Sequence, residues 1–279
     1  MFILVTVGIL LFTAMLLLVL RFALPAFRFS WLAATGGALT AWGSVFAWQA
    51  DMPALLQLPL WRPENIFRQS PLFIVDGTSW VFALSVTTIC LAVIVTAVAR
   101  ENFPGPVSWA GVLVLTALGV LAVTADNPLT LVLLWAAIDL LEMSSQLWFV
   151  EDPRLSERTV ISFASRVTGI LILLWAGIVS ASEGAALDFL SPPPRAGLYL
   201  VTAAALRLGV LPLHLPYASE SSFRRGFGTA LRMISAASSL ILLARIPLGG
   251  VESTLTPYLI LFTTFAALYG AWMWMRSPD

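Results

Sequence analysis

The chain has 279 residues, 59% of them hydrophobic and only 11% charged, with fifteen basic and fifteen acidic side chains and no net charge. A soluble domain carries about a quarter charged residues, so this composition reads as an integral membrane protein, and the absence of a basic excess excludes a nucleic-acid partner. A single cysteine, Cys90, excludes an internal disulfide and a cysteine-based metal cluster.

A spanning helix needs about twenty apolar residues. Candidates fall near 1–20, 30–50, 78–99, 107–124, 129–150, 158–180, 196–215, 227–246 and 255–275. The opening "MFILVTVGILLFTAMLLLVLRF" has no basic residue before its apolar run and no small-residue cleavage site, so it reads as a first spanning helix and not a signal peptide. Connections are short except at 51–77, which holds four prolines and no spanning run; a short hairpin at the interface is expected there. "SPPPRAG", 191–197, predicts a stiff break between helices six and seven.

Every basic residue is arginine. Arg21, Arg28, Arg100, Arg154, Arg158, Arg224, Arg225 and Arg276 fall in loops on one side, and Arg62, Arg68 and Arg195 on the other. Basic loops stay inside, so the N-terminus is expected outside, the C-terminus in the cytoplasm and the 51–77 loop outside.

The remaining arginines lie within helices. Arg245 ends helix eight and reads as an anchor whose side chain snorkels outward. By a rise of 1.5 Å per residue, Arg207 stands roughly 16 Å into helix seven, Arg166 about 12 Å from the inner end of helix six, and Arg232 roughly 8 Å from that of helix eight. Helix five supplies acids, Asp139 near the midplane and Glu142 a turn further in. Residues i and i+3 share a helix face, so the two form one acidic edge, and matching depths pair Asp139 with Arg207 and Glu142 with Arg166. Two readings stay open. The groups are static ion pairs that join helices, or they form a polar axis for ions or protons. The stretch "ALRLGVLPLHLPY" bears on the choice. Pro212 removes a helical hydrogen bond, so regular bonding is expected to fail between Arg207 and His214. His214, the only histidine, is either a hydrogen-bonded structural residue or a proton carrier.

In order, "FIVDGTSWVFALSV", "ADNPLTLVLLW", "ASRVTGILILL", "RLGVLPLH" and "TALRM" resemble successive landmarks of the proton-translocating antiporter-like family. That family includes the distal membrane subunits of respiratory complex I, Mrp sodium/proton antiporters, membrane-bound hydrogenases and the membrane subunit of inorganic-carbon uptake complexes. The eighteen-residue step from His214 to Arg232 is similar to the family's spacing between its helix-seven and helix-eight landmarks. The resemblance runs from about residue 70 to the end and covers about the first half of the family's usual length, which holds two inverted repeats.

The resemblance implies an all-α integral membrane fold of about nine transmembrane helices in a single polytopic membrane domain, 1–279. It divides into helices one to three with the external loop (1–106), one five-helix antiporter-like repeat of helices four to eight (107–246) with a discontinuous helix seven, and helix nine with the C-terminus (247–279). It implies a proton-conducting subunit of a larger energy-coupling complex in a bacterial-type inner membrane. The partners would be other membrane subunits, including a second antiporter-like half or a soluble coupling subunit, and the lipid bilayer. Two alternatives are the proton-coupled membrane subunit of an inorganic-carbon uptake complex and a non-conducting scaffold that keeps the fold. No cofactor or metal is expected, and no catalytic chemistry in this chain, although the complex could be a proton-translocating NADH:quinone oxidoreductase type. The proton-path or buried-charge residues would be Asp139, Glu142, Arg166, Arg207, His214 and Arg232, with Pro212 as the helix break. The chain departs from the family pattern in four places. Ala136, not glutamate, follows Trp135; the lysine position of helix six falls near Val160; Arg207 stands at the lysine position of helix seven; Arg232 stands at the histidine position of helix eight.

Overall fold

The computed structural model describes residues 2–24, 27, 29–59, 70–97, 105–149, 153–185, 187–189, 191–210, 225–247, 250–251 and 254–276. Among them are nine α-helices, α1 (Phe2–Ala23), α2 (Ser30–Ala47), α3 (Gly77–Thr96), α4 (Pro106–Thr124), α5 (Pro128–Phe149), α6 (Pro153–Ser182), α7 (Pro194–Arg207), α8 (Arg225–Arg245) and α9 (Thr256–Arg276). Strands β1 (Ala54–Gln57) and β2 (Leu72–Val75) lie between α2 and α3. Five helices, α1, α3, α4, α5 over Pro128–Ser145 and α6 over Thr159–Ser182, are long and apolar enough to cross a membrane. This is an all-α, multi-pass membrane architecture.

In lipid every backbone group must find a partner within the protein, and side chains close the N-terminal ends of α3 and α5. Asp76 caps α3 reciprocally: its Oδ1 accepts from the Ser79 amide at 2.7 Å, and the Asp76 amide donates to Ser79 Oγ at 2.8 Å. The Asn127 side chain accepts from the Thr130 amide at 2.8 Å at the head of α5 and donates to the Ser70 carbonyl at 2.7 Å. Prolines stand at the first turns of α4 and α7, where a missing N–H costs nothing.

β1 and β2 pair antiparallel, with Ala54 opposite Val75 and Gln57 opposite Leu72. The hairpin expected within 51–77 is this element, and it is tied to the bundle. The Leu72 amide donates to Thr130 Oγ1 at 2.8 Å, and the Asp126 amide donates to the Leu72 carbonyl at 3.0 Å. We call this end of the bundle the hairpin face.

At the centre is α4, with twelve of its nineteen residues buried. It packs on α1, α2, α3, α5 and α8. Gly119 makes the α8 contact possible, because a Cβ there would collide with Ile234. Tryptophans pin α2 to α3: Trp31 Nε1 donates to the Ile94 carbonyl at 2.8 Å, Trp42 Nε1 to Thr88 Oγ1 at 2.9 Å, and Trp80 Nε1 to the Val45 carbonyl at 2.9 Å. A second layer is formed by α6 on α5 and α7. No described residue of α9 is buried.

Helix α7 ends at Arg207 after fourteen residues, about 21 Å of helix, at the start of the stretch where regular bonding is expected to fail. The stop is a glycine. Gly209 adopts φ +74°, its amide donates to the Leu206 carbonyl at 3.2 Å, and the Val210 amide donates to the Ala205 carbonyl at 3.0 Å. That is the Schellman pattern, which needs a left-handed residue that glycine supplies without strain. Pro212 and His214 lie outside the described residues.

Candidate functional site

Trp135, Asp139 and Glu142 are spaced four and three residues apart on α5 and share one face. All three are buried. The facing helices each bring one arginine. Arg207 is the last residue of α7, and its guanidinium grips Asp139 at both oxygens, Nη1 to Oδ2 at 2.5 Å and Nη2 to Oδ1 at 2.8 Å. Such a fork-on-carboxylate pair is the strongest common form of charged hydrogen bond. Arg207 Cζ also stands 4.3 Å from the centre of the Trp135 ring, a cation–π contact. Trp135 is held in turn by its Nε1 donating to the Ser238 carbonyl of α8 at 3.3 Å.

On α6, Arg166 Nη1 donates to Glu142 Oε2 and stands 3.7 Å from Asp139 Oδ1. The four groups therefore form one row, Arg207–Asp139–Arg166–Glu142, alternating in sign and summing to zero charge. Asp139 and Arg207 are each 1% exposed, Glu142 and Arg166 each 4%. A smaller residue admits the row. Gly169 lies one turn beyond Arg166, and a Cβ there would stand 3.0 Å from Arg207 Cγ and 3.1 Å from the Ala203 carbonyl oxygen. Beside the row is a cavity of about 10 Å³, room for about one water. It is lined by Asp139, Glu142, Arg166, Thr159 and Ser162, together with Met143 and Phe163.

The structure thus brings together Asp139, Glu142, Arg166 and Arg207. Arg232 is half-buried on α8. Three contributors were not singled out as site residues by sequence reasoning: Trp135 as the stacking surface, Gly169 as the space for the arginine stem, and Gly209 as the stop that ends α7 at the charge. Only Gly209 carried a readable signal, a glycine just past an apolar helix.

A second charged cluster lies on the hairpin face and corrects the reading of Arg245. Its side chain does not snorkel outward; it is 3% exposed. Nη1 donates to the Ala125 carbonyl and stands 3.7 Å from Asp126 Oδ1, and Nη2 stands 3.9 Å from Asp76 Oδ1. The turn inward follows from the three partners there, two carboxylates and a carbonyl at the end of α4. Burial pushes the Asp126 carboxyl above its ordinary value, against the pull of Arg245 and with Asp188 and Asp76 adding to the push. Among the described residues, no group of three or more histidine, cysteine or acidic side chains could hold a metal.

The bundle and its interior charges define a multi-pass, all-α membrane protein. The chain matches no known family model and no curated protein. It is similar to a chain in the solved structure of the membrane-bound sulfane sulfur reductase, an archaeal respiratory membrane complex, with a TM-score of 0.68 and 15% identity over 89% of this chain and 42% of that one. At that identity the likeness establishes a shared fold. This chain spans less than half the length of the one it resembles.

Proposed function

We propose that this chain is a proton-conducting, antiporter-like subunit of a larger energy-coupling membrane complex, with protons passing along the acidic edge of α5. The observation that supports this is the buried row Arg207–Asp139–Arg166–Glu142 with a cavity at its side. Ionisable groups are costly in a membrane interior and mark ion and proton paths. The shared fold with a chain of a respiratory complex supports a place among the membrane subunits of such an assembly. A second subunit of similar fold or a soluble coupling subunit would complete it. Arginine does not release its proton. In this row the carriers are carboxyl groups with water, and the arginines hold them in place.

A scaffold role has one observation in its favour: Arg207 is bound at both Asp139 oxygens and stacked on Trp135, the geometry of a fixed lock. Proton flux separates the two. The assembled complex, reconstituted in vesicles with an imposed pH gradient, should dissipate that gradient, and Asp139→Asn should stop the flux while assembly persists. Undiminished flux in Asp139→Asn would leave the scaffold reading.

A further inference from the structure

We propose that the charged cluster on the hairpin face is the second end of the proton path, with Asp126 as the carboxyl that exchanges protons with water there, an assignment that rests on the conducting reading above. Asp139 stands about 16 Å along α5 from Pro128, and the cavity beside the row is lined by Thr159 and Ser162 near the head of α6, at the opposite end of α5 from the hairpin. Protons in the row therefore need a separate outlet at the hairpin face. Arg245 marks it. Its side chain is 3% exposed, and its Nε and Nη2 make no hydrogen bond among the described residues. At 3.7 Å from Asp126 Oδ1 and 3.9 Å from Asp76 Oδ1, the guanidinium is within ion-pair reach of both carboxylates but directly hydrogen-bonded to neither. A polar separation of that size is one that water bridges. From the buried cation, exposure rises outward through Asp126 at 19% and Asp76 at 33% to the exposed Asp188, which the buried Leu187 and Phe189 flank.

Among the described residues, the charges acting on Asp126 come from α8 (Arg245), from the 187–189 segment (Asp188) and from the cap of α3 (Asp76). The strands and α4 carry no ionisable side chain, and α5 has none before Asp139. Asp51, ahead of β1, is exposed, and Arg195 of α7 stands 3.9 Å from Glu183. Arg62, Glu64, Arg68 and Glu252 lie outside the described residues. Three carboxylates of the cluster thus share one permanent cation. Burial pushes the Asp126 carboxyl up, Arg245 pulls it down, and Asp188 and Asp76 push it up again; repulsion among acids that share a site favours holding a proton. Helix α8 links the cluster to the row. Trp135, stacked on Arg207, donates to the Ser238 carbonyl, and Ser238 and Ser239, both buried, stand roughly 10 Å from Arg245 by helix rise. Their hydroxyls can both donate and accept, as a relay requires.

The test is proton flux through the assembled complex in vesicles, with an impermeant weak-acid buffer added on the hairpin side or on the other. Asp126→Asn removes the exchanging carboxyl and keeps its shape. It should slow flux by about 10²-fold, the low end of what one positioned proton-transfer group contributes, and concentrated buffer on the hairpin side alone should restore it. Asp126→Glu, which keeps a carboxyl, should retain most of the flux with a displaced pH profile. Undiminished flux in Asp126→Asn overturns the assignment, as does a loss that buffer on the hairpin side leaves unrepaired, the mark of a merely structural role. Infrared difference spectra across pH give a readout independent of flux. They should show a protonated carboxyl band that Asp126→Asn removes, and spectra unchanged in that variant overturn the assignment. A wild-type complex with no flux removes the conducting reading and the outlet with it, whereas flux that survives Asp126→Asn removes the outlet alone.

Discussion

Arg207→Ala removes a buried side chain engaged by both a carboxylate and an aromatic ring. It takes away both hydrogen bonds to Asp139, at 2.5 and 2.8 Å, and the contact with Trp135 at 4.3 Å. Breaking a buried pair by deleting one partner costs about 3–5 kcal/mol, chiefly because the other charge is stranded. Asp139 keeps Arg166 at 3.7 Å, which offsets part of that penalty and places the expectation near the lower end, about 3 kcal/mol. Adding Asp139→Asn to Arg207→Ala removes the stranded charge, so the pair should be less damaging than the sum of its members, with a coupling of about 2 kcal/mol. The measurement is a double-mutant cycle on chemical unfolding of the purified complex in detergent, followed by tryptophan fluorescence. A cost below about 1 kcal/mol for Arg207→Ala, within the range of an exposed pair, would refute the argument, as would strict additivity with Asp139→Asn.

Gly209→Val forces a β-branched residue to φ +74°; it should cost at least the roughly 1–2 kcal/mol of a left-handed residue and raise hydrogen exchange at the amides that close α7. Asp76→Ala removes the capping interaction of α3 and should lower stability by about 1 kcal/mol, with Asp76→Asn losing less. The raised Asp126 carboxyl makes a pH-dependent contribution. As pH rises from the ordinary 3.8 through the raised folded value, the native state holds a proton that the unfolded chain has released, so stability falls across that window; Asp126→Asn should flatten the slope. Leu55 of β1 is 63% exposed. In a Cys90→Ser background, Leu55→Cys should react with an impermeant thiol reagent from outside the cell, and reaction only after the membrane is opened would reverse the proposed orientation.

Apolar runs made the helices legible in order, and i, i+3 spacing with matched depth made legible which acid meets which arginine. Those inferences use local spacing, and local spacing survives folding. The failure of regular bonding in helix seven between Arg207 and His214 was legible, but the stop at Gly209 was obscured, because hydropathy continues through Leu208, Val210 and Leu211 and the stop depends on a backbone preference. The fate of Arg245 was not readable, because its partners Asp76 and Asp126 come from distant parts of the chain and meet only when α3, α4 and α8 pack. Gly169 was silent for a similar reason. A glycine in an apolar helix carries no mark of the arginine stem that will lie across it.

Four interlocked charges restrict how this chain can drift over generations. Losing any one strands a neighbour at a cost comparable to a sizeable share of a protein's whole stability margin of about 5–15 kcal/mol. Viable histories should therefore run through compensated exchanges, with Asp139 and Arg207 lost or swapped together and Glu142 changing in step with Arg166. Arg166 touches both acids, so it should be the last of the four to go. Trp135 and Gly169 should stay constrained even after Arg207 is replaced, because each also meets a backbone oxygen, that of Ser238 for Trp135 and that of Ala203 for Gly169.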